Sequence, residues 1–167
     1  MKRIITLISF LSLVVIINIS AFSQEINYSG KWKIDLKKSS LPGMTIKDHI
    51  LTIMHEGINL NIKSELIWPN GNRDIIDYKY TTDGKDCTIP GRYIEELTGR
   101  CLIEKGELSI EREQDGIRRV RGKQETIYTT IIEKYSLSKD GKILTIIRTS
   151  LIGNRAFKSK MVFQKVD

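Results

Sequence analysis

The chain has few residues suited to covalent or metal chemistry. Its 167 residues include two histidines, two cysteines and three prolines, and aromatics make up 7%. His49 and His55 are six residues apart. In an extended strand that is about 20 Å, too far to share one metal ion. His55-Glu56 also lacks the helical frame of a zinc-protease motif, so each histidine is expected at a strand end or on the surface. No serine sits in a Gly-x-Ser-x-Gly elbow, and the glycines fall in turns, not in a phosphate-cradling loop. Helical periodicity is also missing, apart from short stretches at 39–45 and 93–98 with room for a turn of helix. These absences leave no catalytic set, no metal ligands and no cofactor motif. The chain reads as a non-enzyme.

Only one long apolar run is present, at the start. Lys2 and Arg3 precede Ile4 to Ile17, and Ala21-Phe22-Ser23 places small residues where a signal peptidase cuts. The run is too short and wrongly flanked for a membrane span, and it reads as a leader removed before Gln24. Residues 1–23 are therefore expected to be a signal peptide and residues 24–167 one exported, soluble domain with no stable membrane insertion. With Lys2 and Arg3 removed, the formal charge falls from +7 to +5. That is moderately basic and keeps an exported protein soluble. In such a chain two cysteines read as one disulfide, Cys87 to Cys101, closing a loop of about 15 residues.

What the chain has in abundance is alternation with period two. Ile58, Leu60, Ile62, Leu66 and Trp68 share a face, with Asn59, Asn61, Lys63 and Glu65 opposite. Ile76, Tyr78 and Tyr80 repeat the pattern, as do Leu108 with Ile110, Ile127 with Ile131 and Tyr135, Leu144 with Ile146, and Phe157 with Met161 and Phe163. One apolar face per strand means antiparallel sheet with one side buried. Turn signals separate the stretches: Pro69-Asn70-Gly71-Asn72, Asp83-Gly84, Lys105-Gly106, Asp140-Gly141 and Gly153-Asn154. About eight to ten strands joined by short hairpins make a meander. A meander of this size hides its edges by closing into an up-and-down barrel or folding into two layers.

The start of the domain, Gly30-Lys31-Trp32-Lys33-Ile34-Asp35, and a late turn, Leu137-Ser138-Lys139-Asp140-Gly141-Lys142 leading into Leu144-Thr145, carry a likeness. The chain resembles small exported bacterial proteins of the lipocalin (calycin) type. The resemblance implies an all-β antiparallel barrel in a secreted or periplasmic protein of the cell envelope. In it Trp32 enters the closed end and Gly30 permits the tight approach of the chain. It also implies an arginine packed over that Trp, for which Arg148 is a candidate.

Arginines fall on two otherwise apolar faces. Arg112 follows Leu108 and Ile110, and Arg148 follows Leu144 and Ile146. A guanidinium inside a barrel is costly unless paired or hydrated. Two readings stand: both arginines lie beyond the buried part of their strands, or they line a hydrated mouth and hold a carboxylate-bearing apolar ligand. On the second reading Arg148, Arg112 and Tyr128 meet the polar end of the ligand, and Leu60, Ile62, Tyr78 and Phe163 line the apolar wall. The expected function is an exported, non-catalytic binder of a small apolar or amphipathic molecule. The alternative is an interaction module with a filled core and a basic loop at Arg118-Arg119-Val120-Arg121-Gly122-Lys123. The aromatic interleaving of a nucleic-acid reader is missing around that stretch, so no nucleic-acid partner is expected. A cavity of a few hundred cubic ångströms, open at one end, separates the first function from the second.

Overall fold

A computed structural model describes residues 26–166. The expected leader and its cut lie outside the described residues. Ten strands follow one another: β1 (Gly30–Ile34), β2 (Asp48–Glu56), β3 (Asn59–Ile67), β4 (Arg73–Thr81), β5 (Asp83–Pro90), β6 (Glu96–Glu104), β7 (Glu107–Val120), β8 (Lys123–Leu137), β9 (Ile143–Ile152) and β10 (Arg155–Val166). No described residue is helical. At 39–45 and 93–98, where a helical turn had room, the chain makes bends and turns and then enters β6.

The strands form one antiparallel sheet in the order β4-β3-β2-β1-β10-β9-β8-β7-β6-β5. First and last strands pair, with Trp32 opposite Lys165 and Ile34 opposite Phe163. The sheet curls into a nearly closed, lipocalin-like up-and-down barrel. Alternation sets its inside. On β2, His49, Leu51, Ile53 and His55 are buried while Thr52 and Met54 are exposed. The same rule buries Leu60 and Ile62 on β3, Leu108, Ile110 and Arg112 on β7, and Leu144 and Ile146 on β9.

The ladder is missing at one place, between β4 and β5. Polar contacts join the chain on its two sides. The backbone of Thr82 donates to Ile58 (2.8 Å) and accepts from Ile103 (3.4 Å), the Cys87 thiol reaches the carbonyl of Lys79 (3.6 Å), and Arg92 pairs with Asp74.

Register also decides the cysteines, which are free thiols. Cys87 on β5 lies opposite Gly99, and Cys101 lies one pleat further along β6. Diagonal neighbours of this kind stand about 7–8 Å apart, beyond the roughly 4 Å between Cβ atoms that a disulfide needs. The Cys87 thiol donates instead to the Gly99 carbonyl (3.1 Å). Burial pushes the Cys101 thiol up to about 12.

Candidate functional site

The barrel has one sealed end and one open end. At the sealed end Tyr28 and Trp32 are completely buried. The Tyr28 hydroxyl accepts from the amide of Leu108 (3.2 Å) and faces the carbonyls of Tyr135 (3.2 Å) and Gly106 (3.3 Å). The Trp32 indole N–H donates to the Tyr28 carbonyl (3.1 Å). Lys165 lies over the Trp32 ring, 5.3 Å from its centre; a lysine thus stands where an arginine was expected, and the candidate Arg148 lies at the cavity instead. Gly30 makes this possible. Its φ is +144°, and a Cβ there would stand 2.6 Å from the Lys165 side chain.

At the other end an open cavity of about 290 Å³ enters the barrel. That is the lower end of the range for small-molecule pockets. Its wall is apolar at Leu51, Ile62, Leu66 and Ile110, and aromatic at Tyr78 and Trp68. On one side β7, β8 and β9 contribute Arg112, Glu133 and Arg148. Glu133 is directly opposite Arg148 in the ladder. It accepts from Arg148 Nε (2.7 Å) and Nη2 (2.6 Å) and from the Tyr135 hydroxyl (3.1 Å), with Arg112 Nη2 at 3.8 Å. Burial pushes the Glu133 carboxyl up, but the two guanidinium groups outweigh it and hold it at about 2.

Arg112 is 6% exposed. It donates to Gln114 (3.3 Å) and lies over the Tyr78 ring at 5.0 Å. Two guanidinium groups thus share one carboxylate, and this part of the wall carries an excess positive charge.

His49 faces the same interior. Its Nε2 bonds Ser64 (2.9 Å), its ring meets Phe163 edge to face at 5.3 Å, and its buried Nδ1 has no partner among the described residues. Burial, reinforced by Arg148, lowers its pKa to about 4, so the imidazole is neutral at pH 7. Each histidine lies one residue from an end of β2, as expected, but neither is on the surface: positions 49 and 55 share the inward parity of Leu51 and Ile53, and both rings are buried.

The rim is latched. Asp115 on β7 accepts backbone amides from Arg92 (2.8 Å), Tyr93 (2.5 Å) and Ile94 (2.7 Å), which holds the β5–β6 loop in place. Gly91 leaves space for this, since a Cβ there would be 2.3 Å from the Ile94 carbonyl and 3.2 Å from Asp115. Across the seam Asp74 pairs with Arg92 and accepts the Trp68 indole N–H (2.6 Å), and Arg92 lies over the Trp68 ring at 5.9 Å.

Four residues expected at a ligand site, Arg148, Arg112, Tyr78 and Ile62, line the cavity together. Leu60 and Phe163 point inward but sit in the packed core away from the cavity wall. Tyr128 does not join them. It is 58% exposed, because even positions of β8 face outward. Sequence reasoning missed Glu133 and His49. Glu133 lies midway between Ile131 and Tyr135 on their inward face, and that parity was the available signal.

No family model matches the sequence, and no curated protein matches it significantly. Solved structures do match. Zebrafish ileal bile acid-binding protein, in complex with cholic acid, is 15% identical with a TM-score of 0.55, over 83% of this chain and 98% of that one. A mutant of the REP1-NXSQ fatty acid transporter is 11% identical with a TM-score of 0.51, over 83% and 97%. Secretory abundant heat soluble protein 4 from Ramazzottius varieornatus is 14% identical with a TM-score of 0.55, over 84% and 96%. At these identities the likeness is one of fold.

Proposed function

We propose that the chain is an exported, non-catalytic carrier of a small amphipathic molecule that bears a carboxylate. The observation that carries this reading is the excess positive charge of Arg112 and Arg148 around Glu133, at the wall of an open, largely apolar cavity. A buried guanidinium without a full complement of acceptors is costly. The other carboxylates that line the cavity are engaged, Asp115 by three amides, Asp74 by Arg92 and Trp68, and the exposed Glu113 by the amide of Thr98 (3.3 Å). A ligand carboxylate supplies the missing charge through charge-assisted hydrogen bonds, and its apolar body covers Ile62, Leu66 and Tyr78. Two structural neighbours, a bile acid-binding protein and a fatty acid transporter, support this class of ligand. The filled-core interaction module loses support from the cavity itself.

The test is displacement of a bound anilinonaphthalene sulfonate probe by dodecanoate and by dodecanol. The acid is expected to bind at least about tenfold more tightly than the alcohol, and Arg148→Met is expected to erase that preference. Equal binding of acid and alcohol, or no binding of either, overturns the reading. Export is tested separately, by recovery of the chain outside the cytoplasm with Gln24 at its N-terminus.

A further inference from the structure

Beyond the cavity mouth β7 and β8 continue as a ribbon with no ladder partner on either side, touched near its base by the β5–β6 loop through Asp115. Pairing of β6 with β7 ends at Gly99 and Arg112, and pairing of β8 with β9 ends at Thr130 and Leu151. From Glu113 to Thr129, therefore, two strands pair only with each other, reaching about 25 Å past the barrel. Arg118–Lys123 is thus not a loop. It belongs to this ribbon and turns in two residues, Arg121 and Gly122, both at positive φ. A two-stranded ribbon alone is marginally stable in water.

Its surface is also unusual for a ribbon in solvent. On the outer face, Ile117, Tyr128 and Leu151 are exposed and follow one another diagonally across β7, β8 and β9. On the other face of the neighbouring β9–β10 tip, Ile152 and Phe157 are exposed as well, Phe157 by 51%. Around them stand Arg119, Arg121, Lys123, Arg155 and Lys158, none of which makes a salt bridge among the described residues. The acidic groups of this region are engaged: Glu125 faces Arg118 (3.4 Å), Asp115 holds the β5–β6 loop, and Glu113, at the base, accepts the amide of Thr98.

We infer that the β7–β8 ribbon and the adjoining β9–β10 tip form a docking surface for an anionic lipid bilayer. Exposed aliphatic and aromatic side chains interleaved with arginine and lysine suit the headgroup layer, where the apolar parts enter and the cations meet lipid phosphates. Apolar residues on both faces favour this over a protein partner, whose rigid surface covers one face. Exposed Ile and Leu contribute little to holding a nucleic-acid backbone.

The test is co-sedimentation of the full chain with vesicles of phosphatidylcholine alone and of equal parts phosphatidylcholine and phosphatidylglycerol, at about 0.15 M salt. Only the anionic vesicles are expected to pellet the protein beyond the binding shared by every variant. Arg119→Glu with Arg121→Glu is expected to weaken that binding about tenfold or more, and Ile117→Ser with Tyr128→Ser several-fold. All chains compared are identical before residue 26, so any contribution from that segment cancels. Hydrogen exchange is expected to slow at 114–129 and 150–158 when anionic vesicles are added. Equal pelleting of wild type and both variants overturns the proposal. So does a loss confined to the charge variant with equal retention of wild type and the serine variant on heparin, which marks a general polyanion site.

Discussion

The two ends of the barrel solve opposite problems with similar residue types. At the sealed end an aromatic pair, Tyr28 and Trp32, is fully buried, and its polar atoms are matched by backbone groups. At the open end an aromatic pair, Trp68 and Tyr78, is half-buried and meets arginines, Arg92 over one ring and Arg112 over the other. The sealed end has a cation too, Lys165 over the Trp32 ring, but there the buried polar atoms of the two aromatics are saturated by backbone, and such contacts hold a structure at low electrostatic cost. Charged groups around a cavity give up some of that economy and gain the capacity to bind. One end is the anchor of the fold, and the other is the place where the fold departs from its own rules.

Truncating the same residue type at each end separates these roles. Trp32→Ala leaves a hole in the sealed end and is expected to cost about 3–5 kcal/mol in denaturant unfolding. Trp68→Ala at the half-exposed rim is expected to cost roughly half as much, since less area returns to water. Equal losses at both ends break the comparison.

Where local pattern decides the outcome, the fold was legible. Alternation placed Ile62 and Tyr78 inside, and it placed Arg112 and Arg148 on apolar faces that prove to be the inner ones. Pairing across the barrel was not legible. Whether Cys87 faces Cys101 or Gly99 is a matter of one pleat of register, which the spacing of cysteines does not encode. The burial of Glu133 depends on two arginines from flanking strands, 21 residues before it and 15 after. An acid that would be expelled from an apolar interior is retained because those charges converge on it. The same holds for His49, whose Ser64 partner comes from the next strand. Arg118 to Lys123 looked like a loop because the run of like charges masks the continuing ladder.

His49 extends the comparison to pH, with a somewhat smaller effect. Folded, it titrates near 4; unfolded, near the ordinary 6.5. As pH falls below 6.5 the unfolded chain takes up a proton that the folded chain refuses. Stability is therefore complete above that value, declines between 6.5 and 4, and levels off below. Between pH 7 and 5 the loss is on the order of 2 kcal/mol. Arg148 adds to the refusal, while Glu133 and Asp48 oppose it. Unfolding midpoints of His49→Leu at the two pH values are expected to lie closer together than those of the wild type. An unchanged gap assigns the acid sensitivity elsewhere.

The smallest effect on stability, and a direct probe of the mouth, lies in the seam. Arg92 and Asp74 are partly exposed, and pairs of this kind contribute about 0–1 kcal/mol. Arg92→Ala is therefore expected to leave the unfolding midpoint nearly unchanged. Its position gives it a different consequence. Between β4 and β5 no ladder runs, and near the open end the described side chains that cross the gap are Arg92, Asp74 and the stacked Trp68. Removing the guanidinium unties the β5–β6 loop from β4 while Asp115 still holds its base. Stopped-flow release of the sulfonate probe is then expected to quicken several-fold, with association quickening in step and equilibrium affinity changing less than either rate. Slower release, or a fall in affinity carried by release alone, makes Arg92 a ligand contact and not a latch, and the rim then belongs to the binding wall.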